Sequence, residues 1–274
     1  MIIKNNLNAM NTNRQQENIA AARAKSTEKL SSGHKINRSA DDAANLAISE
    51  KMRAQIWSLV QAGANAQDGI SSIQTADGAL NQVNDMLGRM NELAIQAGNA
   101  TLSQTDRDKL QSEMGALRTE IDRISATTTF NDQNLLDGSF ADGKRLQVGA
   151  DTGEENQISI VIDQMDWASI SENGSISLQN NEEISATLDS IRTAGRNIGT
   201  MRADMGATQN RLEHTVSNLR NVVENTTAAE STIRDTDMAA EMVRKANRDI
   251  MANAAQAMLA QANQSNRGAL GLLS

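Results

Sequence analysis

The chain of 274 residues contains no proline, no cysteine and no tyrosine, and its aromatics are Trp57, Trp167, Phe130 and Phe140 alone. Each absence excludes something. Without cysteine there is neither a disulfide framework nor a thiolate metal site. Without proline the strongest helix breaker is missing, so long unkinked helices are permitted. Compact globular domains of this length rely on aromatic side chains because each buries a large area; here Ala, Leu, Ile and Met carry the burial, in the manner of helix bundles and coiled coils. Long hydrophobic runs are missing too. Runs such as Ile19–Ala22 reach four residues, against the ~20 of a spanning helix. The N-terminal MIIKNNLNAMN lacks the ~7–15-residue apolar stretch of a cleaved secretory signal. The net charge of -8 disfavours a nucleic-acid binder, whose footprint is a basic stripe.

Two thin helical stripes of apolar residues stand at the ends. Ile3, Leu7 and Met10 fall at i, i+4 and i+7; Ala239, Val243, Ala246, Ile250, Ala254 and Ala257 repeat at steps of three and four. These spacings place each set on one helix face. Neither set can build a core of its own. Each calls for a partner: the other end of the chain, or neighbouring copies. A building block of an assembly is the function class this pattern indicates.

The expected organisation is mainly α: a long-helix bundle with nested terminal helices and a small central β-rich insert. Helix is expected over 1–32, with a turn-like 34–42 in which Asp41 or Asp42 caps the next helix. One very long helix then spans about 43–99, on the order of 80 Å at ~1.5 Å per residue. A further helix covers 105–125. Residues 127–181 change character, with turn dipeptides at Asp137-Gly138, Asp142-Gly143 and Asn173-Gly174 and alternating segments at 145–148 and 157–162. A third long helix is expected over 181–225 and a last one over 231–266.

Chemistry is sparse. His34 and His214, the only histidines, have no ligand-spaced partners, and polar surface contacts are the better reading. The Gly138–Lys144 stretch has the Gly-Lys of a phosphate-binding loop, but Arg145 stands where the magnesium-holding Ser or Thr belongs, which reads as a Gly-rich hairpin. The acidic pairs Asp41-Asp42 and Asp235/Asp237 are explained by helix capping better than by a cation. Most of the 13 methionines sit at core-like positions, whereas Met238, Met242, Met251 and Met258 lie on the C-terminal helix. The expected class is a structural protein, not an enzyme, with no cofactor and no metal.

Particular strings carry a resemblance: Lys29-Leu-Ser-Ser-Gly-His-Lys-Ile-Asn-Arg-Ser-Ala-Asp-Asp-Ala-Ala44, Leu46-Ala-Ile-Ser-Glu-Lys-Met-Arg53, Arg89-Met-Asn-Glu-Leu-Ala-Ile-Gln96, Ala207-Thr-Gln-Asn-Arg-Leu-Glu-His214, Ala228-Ala-Glu-Ser-Thr-Ile-Arg-Asp-Thr-Asp-Met238 and Gln256-Ala-Met-Leu-Ala-Gln-Ala-Asn-Gln264. In these the chain closely resembles bacterial flagellin, in a minimal form without outer domains. The resemblance implies terminal helices, 1–42 and 231–274, in an inner filament core, and a rod of long helices, 43–230, around it. It implies homopolymerisation into the flagellar filament used for swimming, with Ile3, Leu7, Met10, Val243, Ile250, Ala254 and Ala257 as polymerisation residues. It further implies extracellular placement through the flagellar type III export apparatus, and hook-associated and cap proteins as partners. An export chaperone is expected on Met242, Ile250, Met251, Met258 and Leu259. The vertebrate flagellin-sensing Toll-like receptor is expected on Arg89, Leu93 and Glu113. Hook–filament junction proteins share the terminal helices but typically carry prolines around Ile36–Ala44, which this chain lacks. An unrelated coiled-coil scaffold would show sustained heptads with charged flanks, which the Asn/Gln-rich ends do not.

Overall fold

The computed structural model describes residues 6–171 and 176–271. Its elements are α1 (Leu7–Ser32), α2 (Ala43–Ala97), α3 (Gln104–Thr127), β1 (Thr129–Phe130), β2 (Gln133–Asn134), β3 (Phe140–Gln147), a 3-10 turn (Glu154–Asn156), β4 (Gln157–Ile162), α4 (Trp167–Ile170), α5 (Asn181–Arg234) and α6 (Met238–Gly271). The expected mainly α architecture with a small strand insert is present. Two compact units divide the chain: residues 1–54 with 225–274, and residues 55–224. The helices α2 and α5 each contribute to both.

The helix ends follow from their caps. Gly33 stops α1 in the left-handed conformation, φ 76°, and its N–H donates to Lys29 O at 2.9 Å. Such a φ is costly for any residue with a Cβ. Asp42 starts α2, accepting from Asn45 N at 3.0 Å. Ser103 caps α3 through Asp106 N. The boundary between the last two helices differs from expectation. The polar Asn225–Glu230 stretch remains helical because nothing in it breaks a helix, and α5 runs on to Arg234. The break comes at Asp235–Asp237, where Asp237 accepts from Ala240 N at 3.0 Å and begins α6.

Residues 55–224 hold an extensive apolar core. From α2 it takes Ala66, Ile73, Ala76, Leu80, Val83, Leu87, Met90 and Ala97, at steps of three, four and seven. Facing them are Met114 and Ile121 of α3 and Ile184, Ile191, Ile198, Met201, Met205 and Leu212 of α5. These spacings are those of coiled-coil-like helix packing.

Strand β3 pairs antiparallel with β4, and β4 alternates: Ile158, Ile160 and Ile162 point into the core while Ser159 and Val161 point out. Trp167 is fully buried, and its backbone N donates to Asp122 Oδ1 at 2.9 Å. Gly69 on α2 lies so close to Leu146 of β3 that a Cβ there would collide with it. The Gly-rich 138–144 stretch is a correction. It is not the turn of a hairpin but the irregular start of β3, with a register shift between Phe140 and Lys144 and φ of 79° at Gly143. The β3–β4 connection is made by residues 148–156. The Asn173-Gly174 dipeptide lies outside the described residues.

Candidate assembly surfaces

Residues 1–54 and 225–274 pack by a different chemistry. The helices α1 and α6 run antiparallel, as three widely spaced ties show: Asn6 Nδ2 donates to Ala262 O at 3.1 Å, Arg248 Nη1 to Ala22 O at 2.8 Å, and Ser26 Oγ to Glu241 Oε1 at 2.5 Å. The Glu241 carboxylate is buried, and also accepts from Arg244 at 2.9 Å. Arg248 further contacts Ser26. The Ser26 hydroxyl bond, then Arg244, holds Glu241 below its ordinary carboxylate range. Arg23 pairs with Asp249 at 2.6 Å nearby.

This polar contact uses one face of each helix. On α6 the covered or half-covered positions include Glu241, Lys245, Arg248, Ala252, Ala255, Leu259 and Ala262; on α1 they include Ala9, Thr12, Gln16, Ile19, Ala22 and Ser26. At ~100° per residue the apolar stripes point the opposite way. Ala239, Val243, Ala246, Ile250, Ala254 and Ala257 are all exposed, as are Leu7 and Met10. Of the two partners expected for the stripes, the other end of the chain is therefore not the one that covers them. Ile3 lies outside the described residues.

Of the chaperone set, Met242, Ile250, Met251 and Met258 are exposed, whereas Leu259 is half-buried on the α1 side.

The turn between α1 and α2 forms a second polar centre with the start of α6. Thr236 N donates to Gly33 O at 2.9 Å and Lys35 N to Arg234 O at 2.6 Å. His34 Nδ1 lies 3.0 Å from Asp235 Oδ1, and Arg234 reaches Glu50 at 2.6 Å. Beneath this turn Ile36 is buried. Lys25 bonds Asp41 at 2.7 Å and, with the N–H of Asn37, lowers that carboxyl to about 2. Each carboxylate here is used as a cap or an ion-pair partner. Among the described residues, no three His, Cys, Asp or Glu side chains are grouped to hold a metal ion. His214 is exposed on α5. The pairing of His34 with Asp235, and of Ser26 with Glu241, spans more than two hundred residues of sequence, and no local signal could have revealed it.

The receptor set divides. Arg89 on α2 donates from Nε and Nη2 to Glu113 on α3, at 3.0 and 2.8 Å, and from Nη1 to Glu92 at 3.1 Å. Both carboxylates raise the guanidinium pKa, Glu113 foremost. Arg89 and Glu113 are exposed. Leu93 is not; it is fully buried in the apolar core, because its position on α2 falls between Met90 and Ala97 on the core stripe. The expected apolar contact from Leu93 to a partner is corrected: the side chain is part of the core beneath that surface.

The family models for the bacterial flagellin N-terminal and C-terminal helical regions match residues 3–141 and 188–273. The chain belongs to the bacterial flagellin family. That family is structural. A flagellin of Halalkalibacterium halodurans is 47% identical over 274 residues, covering all of both chains. A flagellar filament 31.3 kDa core protein of Treponema maltophilum is 44% identical over 285 residues, again covering both chains fully. A solved structure from Vibrio parahaemolyticus, described as a putative flagellar hook-associated protein, shares the fold with a TM-score of 0.61, covering 71% of this chain and 100% of that one, at 14% identity. No helix among the described residues is long and apolar enough to cross a membrane.

Proposed function

We propose that the chain is the repeating subunit of a flagellar filament, and that it polymerises through α1 and α6. The observation that supports this most is the exposed stripe of α6. Six apolar residues in line, from Ala239 to Ala257, face away from α1, the helix that packs along α6. An apolar face of this length is an interaction surface by default. Its small side chains suit close packing of identical helices in an inner tube, with Leu7 and Met10 of α1 adding to the same contact. Residues 43–230 form the surrounding rod in this reading, and the mature filament is extracellular.

The test is Ala254→Glu. Ala254 is exposed in the single chain, so the subunit keeps its fold and its helix content. In the filament a buried unpaired carboxylate costs several kcal/mol at every subunit. Electron microscopy and sedimentation of the variant should find folded monomer and no filaments; normal filaments would refute the reading.

Two partner surfaces belong to the same proposal. Before export, a chaperone groove covers the outward face of α6, the stripe with Met242 on one flank and Met251 and Met258 on the other, in a helix-in-groove mode. Truncation after Thr236 should abolish that binding by calorimetry. At the other unit, Arg89 and Glu113 offer the monomer a planar charged cluster for the flagellin-sensing receptor. Here Arg89→Ala should weaken binding of the monomer to the receptor ectodomain, and intact filaments should bind little. Cap and hook-associated proteins complete the partner set at the filament ends.

A further inference from the structure

The methionines are partitioned between the two units. In residues 55–224, Met90, Met114, Met165, Met201 and Met205 are buried and Met86 is half-buried. Among the described residues of the other unit, Met52 is half-buried, while Met10, Met238, Met242, Met251 and Met258 are between 45% and 65% exposed. At ~100° per residue, Met238 and Met242 flank the α6 stripe on one side and Met251 and Met258 on the other. Met10 lies on the uncovered face of α1. The chain has no cysteine, so these thioethers are its softest accessible nucleophiles.

We propose that Met10, Met238, Met242, Met251 and Met258 form an oxidation site that controls assembly, resting on the reading that this face packs between subunits. The oxidant class is a peroxide. The thioether sulfur attacks one peroxide oxygen, the O–O bond breaks, and the sulfur, losing two electrons, becomes a sulfoxide as water leaves. Each sulfoxide places a strong, chiral hydrogen-bond acceptor at the edge of an apolar contact in place of an apolar thioether. Reversal takes two external thiols: the sulfoxide returns to thioether, a disulfide forms and water is released. The chain supplies no thiol of its own, so repair belongs to peptide methionine sulfoxide reductases.

The experiment treats full-length monomer with graded hydrogen peroxide, maps each methionine by peptide mass spectrometry, and measures addition to sheared filament seeds by sedimentation. The five exposed residues should oxidise before Met90, Met114, Met201 and Met205. At that dose, seeded growth should slow by about tenfold or more. Treatment with reductases for both sulfoxide epimers and dithiothreitol should restore it. A variant carrying leucine at all five positions conserves volume, and its growth rate, whatever its value without peroxide, should not fall further when peroxide is added; if the leucines alone stop growth, the reductase arm on wild-type protein decides. Unaltered growth of fully oxidised protein, equal oxidation of the core methionines, or growth not restored once the sulfoxides are removed would overturn the proposal. Untreated protein that fails to add to seeds would instead overturn the polymerisation reading, and with it the assembly role of the oxidation.

Discussion

The two units of this chain are held by different forces. Residues 55–224 bury large apolar side chains, with Leu80, Met90, Ile121, Leu136, Ile162 and Trp167 at or near zero exposure. In the terminal unit the buried positions among the described residues are Ser26, Ser49 and Glu241, with Ile36 and Ala255 the buried apolar ones. The first unit is stabilised by removal of apolar surface from water. The second is a polar contact between two amphipathic helices whose apolar sides remain uncovered. A helix pair of that kind gains little from folding alone, since helical stability in proteins comes mainly from packing an apolar face. The difference fits the proposed role of α1 and α6: one part is complete in itself, and one leaves an apolar face exposed.

The largest effect that would break this comparison lies in the apolar unit. Trp167→Ala leaves a cavity at a fully buried site and should cost about 3–5 kcal/mol, read as a lowered denaturation midpoint of residues 55–224 with little change in exchange at α1 and α6. A midpoint shift shared equally by both units would mean they are not separate.

Next is Glu241→Ala. It strips the acceptor from Ser26 and leaves Arg248 with one partner fewer in a half-buried contact. A loss of about 2 kcal/mol is expected, confined to hydrogen exchange along α1 and α6.

Acid sharpens the contrast further. Asp41 sits at about 2, and Asp42, Glu50, Asp235 and Glu241 are all lowered by their hydrogen bonds and ion pairs. A carboxylate whose folded pKa lies below its unfolded value, about 4, contributes stability that is complete above that value. The contribution is lost as pH falls through the folded pKa. The terminal unit, whose helix contact contains the buried Glu241, should therefore loosen between about pH 4 and 2, while residues 55–224, whose lowered carboxylates Asp106, Glu120, Asp137 and Glu183 lie outside the apolar core, should hold better. Exchange rates or circular dichroism measured across that window test it.

The smallest effect is expected for Arg89→Ala. Its pairs with Glu92 and Glu113 are exposed, and such pairs contribute little to stability. The denaturation midpoint should stay within error of the wild type, so any change in receptor binding reports contact and not folding.

Much of the fold was legible in the chain itself. Apolar residues at steps of three, four and seven specified α2 and α5, and alternation specified β4, because side-chain direction follows backbone period. The absence of proline allowed helices of 55 and 54 residues. The end of α5 lies beyond the expected Asn225 because Asn225–Glu230 is polar but contains no breaker. The true stop, Asp235–Asp237, depends on contacts with Gly33 and His34. Leu93 belongs to the core and not to the receptor surface that the resemblance implied, because Met90, Leu93 and Ala97 follow the core period of α2.

The sequence by itself determined the family, the mainly helical class and the existence of an unsatisfied apolar stripe at each end. Those properties reside in local spacing and in ordered strings. Only the tertiary structure decided which way the stripes face. The side of α6 that packs on α1 is chosen by Ser26, Glu241, Arg248 and Asn6, whose hydrogen bonds join residues more than two hundred positions apart. A buried carboxylate must find its donors, and once Glu241 has found them on α1, the stripe from Ala239 to Ala257 is turned outward.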